Sequence, residues 1–184
     1  AAWYQREIVI DEKDAGRIFS LFLERCLWET KVWVDDHYIG EGESLCVPHE
    51  FDLSAWLTPG KHRITLRVDN SRKYHIGHRS HAYSEDQQTI WNGIVGRIEL
   101  QSHAPLFIKQ VKTYPDVTSR QVRFVLTYDN RTGGVQPCGL LIRCGLKTGE
   151  CPQDPQLFKK STEIAVGESS ETFTVAIDDA LQLW

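Results

Sequence analysis

The residues best equipped for chemistry lie in one polar stretch that breaks the rhythm of the chain, Asn70–Thr89, and run on to Asn92. It contains His75-Ile76-Gly77-His78-Arg79-Ser80-His81-Ala82-Tyr83-Ser84-Glu85-Asp86-Gln87-Gln88-Thr89-Ile90-Trp91-Asn92. A loop this long inside a compact domain is functional or disordered rather than an idle connection. Three chemistries can be weighed. His75, His78 and His81, with Glu85 or Asp86 as a fourth ligand, have metal-binding groups. Their spacing matches no recognised zinc signature, so no metal is expected and a polar loop is the reading. Glu85 and Asp86 are neighbours, and neighbours on an extended chain point to opposite faces, so they cannot flank one bond as an acid–base pair. Asp86, Gln88 and Asn92 offer carboxylate and amide groups suited to hydroxyls, and Trp91 offers an indole face. The competing reading is a solvated loop with Trp91 plugged into a core.

The elements that must position this loop are strands. Period-2 alternation recurs along the chain, and no stretch holds a helical period for three turns. Candidate strands are Tyr4–Ile10, Arg17–Glu24, Thr30–Asp35, Glu50–Leu53, His62–Asp69 and Gly96–Ser102. Arg17–Glu24 is nearly continuous apolar, as a central strand covered on both faces requires. His62–Asp69 alternates, with Ile64, Leu66 and Val68 inward and Arg63, Thr65 and Arg67 outward. Asp35-Asp36 reads as a hairpin turn rather than a calcium site, and Thr58-Pro59-Gly60 as a tight turn. After Ala104-Pro105 a second series follows: Leu106–Tyr114, Gln121–Tyr128, Gly139–Leu146, Thr162–Val166 and Glu171–Ile177. Short strands at this spacing predict sandwiches, a first domain over 1–103 and a second over 104–184. Leu181-Gln182-Leu183-Trp184 reads as the approach to a last, truncated strand, with an exposed edge or unfilled groove expected there. Trp33 and Trp56 are assigned to the core, while Trp28 and Trp3 are candidates to face a partner domain.

The 184 residues are 41% hydrophobic and 25% charged, enough for a real core. A net charge of −4 gives no electrostatic reason to bind nucleic acid or an anionic membrane. No apolar stretch approaches a membrane span, and Ala1-Ala2-Trp3-Tyr4 has no signal-peptide layout. Cys26, Cys46, Cys138, Cys144 and Cys151 are odd in number and irregular in spacing, so they form no disulfide framework and most are expected to be buried. Only Cys144–Cys151 is a plausible bridge, across the turn between them. There is no Ser/His/Asp constellation, no phosphate loop and no basic, aromatic-interleaved patch. No cofactor is implied.

In order and spacing, several pieces together resemble the N-terminal sugar-binding domain of glycoside hydrolase family 2, the β-galactosidase family. They are Trp3-Tyr4, Gly16-Arg17-Ile18 leading to Leu21-Phe22-Leu23-Glu24, Trp33-Val34-Asp35 with Ile39-Gly40, and Phe51-Asp52-Leu53. Pro59-Gly60, Val68-Asp69-Asn70 and Trp91-Asn92-Gly93-Ile94-Val95-Gly96 complete the set. Thr127-Tyr128-Asp129-Asn130 and Leu183-Trp184 are similar to the family's immunoglobulin-like domain. The resemblance implies an all-β chain, a jelly-roll (galactose-binding-like) sandwich followed by an immunoglobulin-like one. It also implies a parent glycosidase whose two catalytic glutamates, roughly 5–5.5 Å apart, sit on a (β/α)₈ barrel. Such a barrel alone needs about 250 residues and nothing here matches it, so no catalytic residue is expected in this chain. In several members a segment just before the strand opened here by Trp91-Asn92-Gly93-Ile94 reaches the active-site rim, which makes Asp86, Gln88, Trp91 and Asn92 carbohydrate-contact candidates. The implied partners are carbohydrate and a C-terminal barrel of the same parent chain, with homo-oligomer contacts a further expectation. A periplasmic or secreted location in a bacterium is favoured over a cytoplasmic one. The rivals are a free-standing carbohydrate-binding module, which needs an exposed aromatic platform, and a structural adhesion-type sandwich.

Overall fold

The computed structural model describes residues 1–71, 73–75, 77–78, 92–144 and 156–177. The chain divides after Ala104 into two compact units. Apart from one 3-10 turn at Glu12–Asp14, every regular element among the described residues is a strand.

The first unit holds β1 (Ala2–Ile10), β2 (Ile18–Leu27), β3 (Glu29–Val34), β4 (His37–Glu43), β5 (His49–Asp52), β6 (Gly60–Asp69) and β7 (Gly93–His103). They form an antiparallel four-stranded sheet, β1-β6-β3-β4, and an antiparallel three-stranded sheet, β5-β2-β7. Alternation explains how they close. Thr30, Val32 and Val34 on β3 are buried while Glu29, Lys31 and Trp33 between them face outward. Ile64, Leu66 and Val68 on β6 turn the same way inward. From the other sheet come Phe19, Leu21 and Leu23 on β2 and Phe51 on β5, and with Leu53 and Leu57 they complete one core. Each such side chain withdrawn from water contributes about 1.5–3 kcal/mol. As its near-continuous apolar run requires, β2 is the central strand of its sheet.

Two tryptophans depart from expectation. Trp33 stands on the outer face of its sheet, because Val32 and Val34 on either side point into the core. Trp28 is the buried one, 4% exposed, whereas Trp3 is 61% exposed. Trp56 packs against the core from a half-buried position. Strand β4 is a further addition. His37-Tyr38-Ile39-Gly40-Glu41-Gly42-Glu43 has too few apolar residues to announce a strand, and only pairing with β3 makes it one. Asp35-Asp36 is the two-residue turn between them, with Asp35 in the left-handed region at φ 51°.

The second unit holds β8 (Leu106–Asp116), β9 (Gln121–Asn130), β10 (Gln136–Cys144), β11 (Gln156–Ile164) and β12 (Gly167–Ala176). Its sheets are β12-β9-β8 and the pair β10-β11, all antiparallel. Leu126 and Tyr128 on β9 meet Ile164 on β11, with Leu106, Cys138, Leu140 and Phe173 around them. Cys26 is buried, Cys138 half-buried and Cys46 exposed, and all three are free thiols. The proposed Cys144–Cys151 bridge and the terminal run Leu181–Trp184 lie outside the described residues.

Candidate functional site

The loop that carries the sequence-based candidates leaves β6 and returns on β7, and both of its feet are built tightly. At the departing end, the Asp69 carboxylate accepts from the Ser71 backbone N–H at 3.0 Å and from its hydroxyl. These bonds hold the Asp69 carboxyl below its usual range. The Asp69 carbonyl also accepts from the Trp28 N–H at 2.9 Å, which anchors the end of β6 to the chain entering β3. Across the gap, the side-chain amide of Asn70 donates to the side-chain Oδ1 of Asn92, so the two feet are tied together by side-chain amides.

The returning foot depends on glycines. Gly93 has φ +79°, and a Cβ there would lie 2.7 Å from the Tyr4 hydroxyl. Gly96 has φ +86° at a break in register between β2 and β7, and a Cβ there would lie 2.6 Å from the Glu24 carboxyl carbon. The Glu24 carboxylate accepts from the Arg97 backbone N–H at 2.9 Å, and that bond first of all lowers its pKa. The bulge re-aims β7 just after it receives the loop, the usual service of a bulge beside a site.

Beside the departing foot, Lys73 bonds Glu29 and reaches Glu43 at 3.1 Å, and these hydrogen bonds hold its ammonium well above the usual lysine range. Tyr74 and Lys73 in turn keep the Glu43 carboxyl low. The Trp28 and Tyr74 rings are 6.0 Å apart, and those of His75 and His78 meet edge-on at 5.3 Å. Of the four carbohydrate-contact candidates, Asn92 is described: it is exposed and held by Asn70. Asp86, Gln88 and Trp91 lie outside the described residues, as do His81 and Glu85. Sequence reasoning missed the role of Asn70 and Asp69 as clamps, although Val68-Asp69-Asn70 stood out as a motif.

Among the described residues, both ends of this polar segment are held on the sandwich by hydrogen bonds. Residues 1–103 match the family model described as glycosyl hydrolases family 2, sugar binding domain. The chain belongs to glycosyl hydrolase family 2. A β-galactosidase of Thermoanaerobacter pseudethanolicus is 24% identical over 112 residues, 60% of this chain and 15% of that protein. Among solved structures, a family 2 member from Bacteroides cellulosilyticus superposes with a TM-score of 0.73 at 18% identity, covering 99% of this chain and 24% of its own. β-Glucuronidase 2 of Bacteroides uniformis gives 0.71 at 16%, covering 99% and 22%. The β-D-mannosidase of Dictyoglomus thermophilum gives 0.64 at 10%, covering 94% and 24%. The likeness therefore spans both units of the fold, while the chain spans a quarter or less of the length of these relatives.

Proposed function

We propose that this chain is the non-catalytic β-sandwich portion of a family 2 glycoside hydrolase, a β-galactosidase, that braces a catalytic barrel and shapes the rim of its sugar pocket. The observation that carries the reading is the match of residues 1–103 to the family's sugar-binding domain. The fold likeness supports it, running through the second unit yet filling only about a quarter of each larger relative. In this reading the first unit is a jelly-roll and the second an immunoglobulin-like sandwich. Glutamates on a barrel elsewhere in the parent chain do the chemistry, as the retaining mechanism of two close carboxylates requires. The identity of the curated relative favours galactoside over mannoside or glucuronide.

The loop between β6 and β7 supplies the rim contacts, with Asp86, Gln88 and Asn92 as hydroxyl partners and Trp91 as a ring-stacking face. In the parent enzyme, Gln88→Ala or Asn92→Ala should raise KM about tenfold, the effect of one lost hydrogen bond, with a smaller change in kcat. If neither parameter moves in either variant, the rim role is wrong.

A further inference from the structure

The outward face of the four-stranded sheet carries three aromatic rings in succession. Trp3 on β1 and Trp33 on β3 have ring centroids 5.4 Å apart, tilted by 33°. Trp33 and Tyr38 on β4 are again 5.4 Å apart, tilted by 53°. The register explains how they meet. Gln5, Thr65, Trp33 and Tyr38 form one cross-strand row, and Trp3, Arg67, Lys31 and Glu41 form the next. Thr65 in the middle is small, so the rings close over β6. Trp3 is 61% exposed and Tyr38 49%, so the strip is open to a ligand in the first unit.

Its surroundings are polar and pre-ordered. Gln5 donates to the Thr65 hydroxyl at 3.1 Å, and Tyr38 donates to Glu41 at 3.2 Å. Lys31 pairs with Glu41 at 3.1 Å, and Arg67 bonds Glu29 at 3.3 Å and also Asp69. These partners fix the side chains before any ligand arrives, which reduces the ordering cost of binding.

We propose that Trp3, Trp33 and Tyr38 form a saccharide-binding platform for a neutral, soluble β-linked hexopyranose chain. A pyranose presents an apolar C–H face that lies on an aromatic ring, and a rim of hydroxyls that needs carboxylate, amide and ammonium partners; both sets are here. Two alternatives fit less well. A protein–protein interface centre is depleted in charge, whereas these two rows hold no Leu, Ile or Val and are flanked by ion pairs. An acidic polysaccharide would meet Glu29, Glu41, Glu43 and Asp69 against Lys31, Arg67 and Lys73, an excess of carboxylate. Because the three rings are mutually tilted, they suit a single twisted glycan chain rather than a flat crystalline surface. The platform goes beyond the rim role and uses no residue of the loop 75–92.

The test uses the 184-residue chain alone, with β-1,4-galactan and β-1,4-mannan in affinity gels and titration calorimetry, and polygalacturonate as the acidic control. The chain should bind at least one of the neutral glycans. Trp3→Ala and Tyr38→Ala should each weaken that binding about tenfold or more, as loss of an aromatic anchor does. Trp3→Phe, which keeps a ring, should retain most of it, so a folding defect in the alanine variants is separable from loss of the platform. Val9→Ala, also outward on β1 but outside both rows, should be silent. Absence of binding to both neutral glycans, equal binding by the alanine variants, or preference for polygalacturonate would each overturn the proposal. Because binding is read without a barrel, such a failure leaves the pocket-rim reading standing.

Discussion

The two units are built on the same antiparallel pairing, but among the described residues their cores differ in composition. In the first, Leu23, Leu53, Val32 and Val34 are fully buried in a core fed by both sheets. In the second, the described core centres on Leu126, Tyr128 and Ile164, and its most buried side chain is polar: Asn130, at 0% exposure. Asn130 donates to the Ile164 carbonyl at 3.0 Å and the Gly134 carbonyl at 2.9 Å, and accepts from the Thr132 N–H and hydroxyl at 3.0 and 2.7 Å. One amide thus joins β9 to β11, where the first unit uses a layer of aliphatic side chains. Strand β8 points the same way, with Ile108, Val111 and Tyr114 about half exposed at a sheet edge. The lesson is that a strand-rich chain can place its most dependable scaffold where a loop must be held, and leave its neighbour to rely on specific polar ties.

The sharpest way to break this contrast is to cut into each core. Leu23→Ala should destabilise the first unit by about 2–5 kcal/mol, since it leaves a cavity among side chains that cannot collapse. Chemical denaturation followed by tryptophan emission should show it, because Trp3, Trp28, Trp33 and Trp56 all belong to that unit. Asn130→Ala should cost about 1–3 kcal/mol by stranding the Ile164 carbonyl, and hydrogen exchange should confine the loss to β8–β12. If Asn130→Ala is silent, the second unit is not held by its polar hub. Gly96→Ala should cost about 1–3 kcal/mol through its left-handed backbone and the Glu24 carboxylate in its way. A Gly96→Ala, Glu24→Ala double variant should recover the part that comes from the clash.

The smallest expected effect is on the pH response of the first unit, where two histidines act in opposite directions. His62 has Nδ1 at 2.9 Å from Asp35 and Nε2 at 2.7 Å from the Thr58 carbonyl, two acceptors that favour the imidazolium. Asp35 first, then the carbonyl, raises its pKa above the ordinary 6.5. Its stabilisation is therefore complete below that value and fades as pH climbs through the raised pKa. His49 is buried, and burial pushes its pKa below 6.5. Its contribution is complete above 6.5 and fades as pH falls toward the lowered pKa. The melting temperature of the first unit should thus decline on both sides of that range. His62→Asn should flatten the alkaline arm alone, and an unchanged arm would refute the Asp35–His62 contribution.

Much of this was legible from residue order. β2 and β6 announced themselves by continuous and alternating apolar residues, and Asp35-Asp36 by turn chemistry. β4 did not, because its pattern is polar and glycine-rich and only its partner strand orders it. Assigning Trp33 to the core on its strand setting was an error, because Val32 and Val34 already dictate that it face out, while Trp28, a candidate to face a partner domain, is instead buried. That error concealed the aromatic strip, since a tryptophan consigned to the core cannot be seen as one ring of three. The loop between β6 and β7 could be singled out by its composition, whereas the clamp between Asn70 and Asn92 is a contact between residues far apart in sequence and became visible only once the two strands were placed.

The central claim, that this chain supports chemistry performed on another domain, is tested most directly by turnover. The 184-residue chain and the full reading frame of its gene should be assayed side by side with 4-nitrophenyl β-galactoside, the corresponding mannoside and the glucuronide. The account predicts no release above the uncatalysed rate by this chain, and turnover, fastest on the galactoside, by the full product. Stoichiometric turnover by the 184 residues alone, or a full reading frame that adds no barrel, would contradict it.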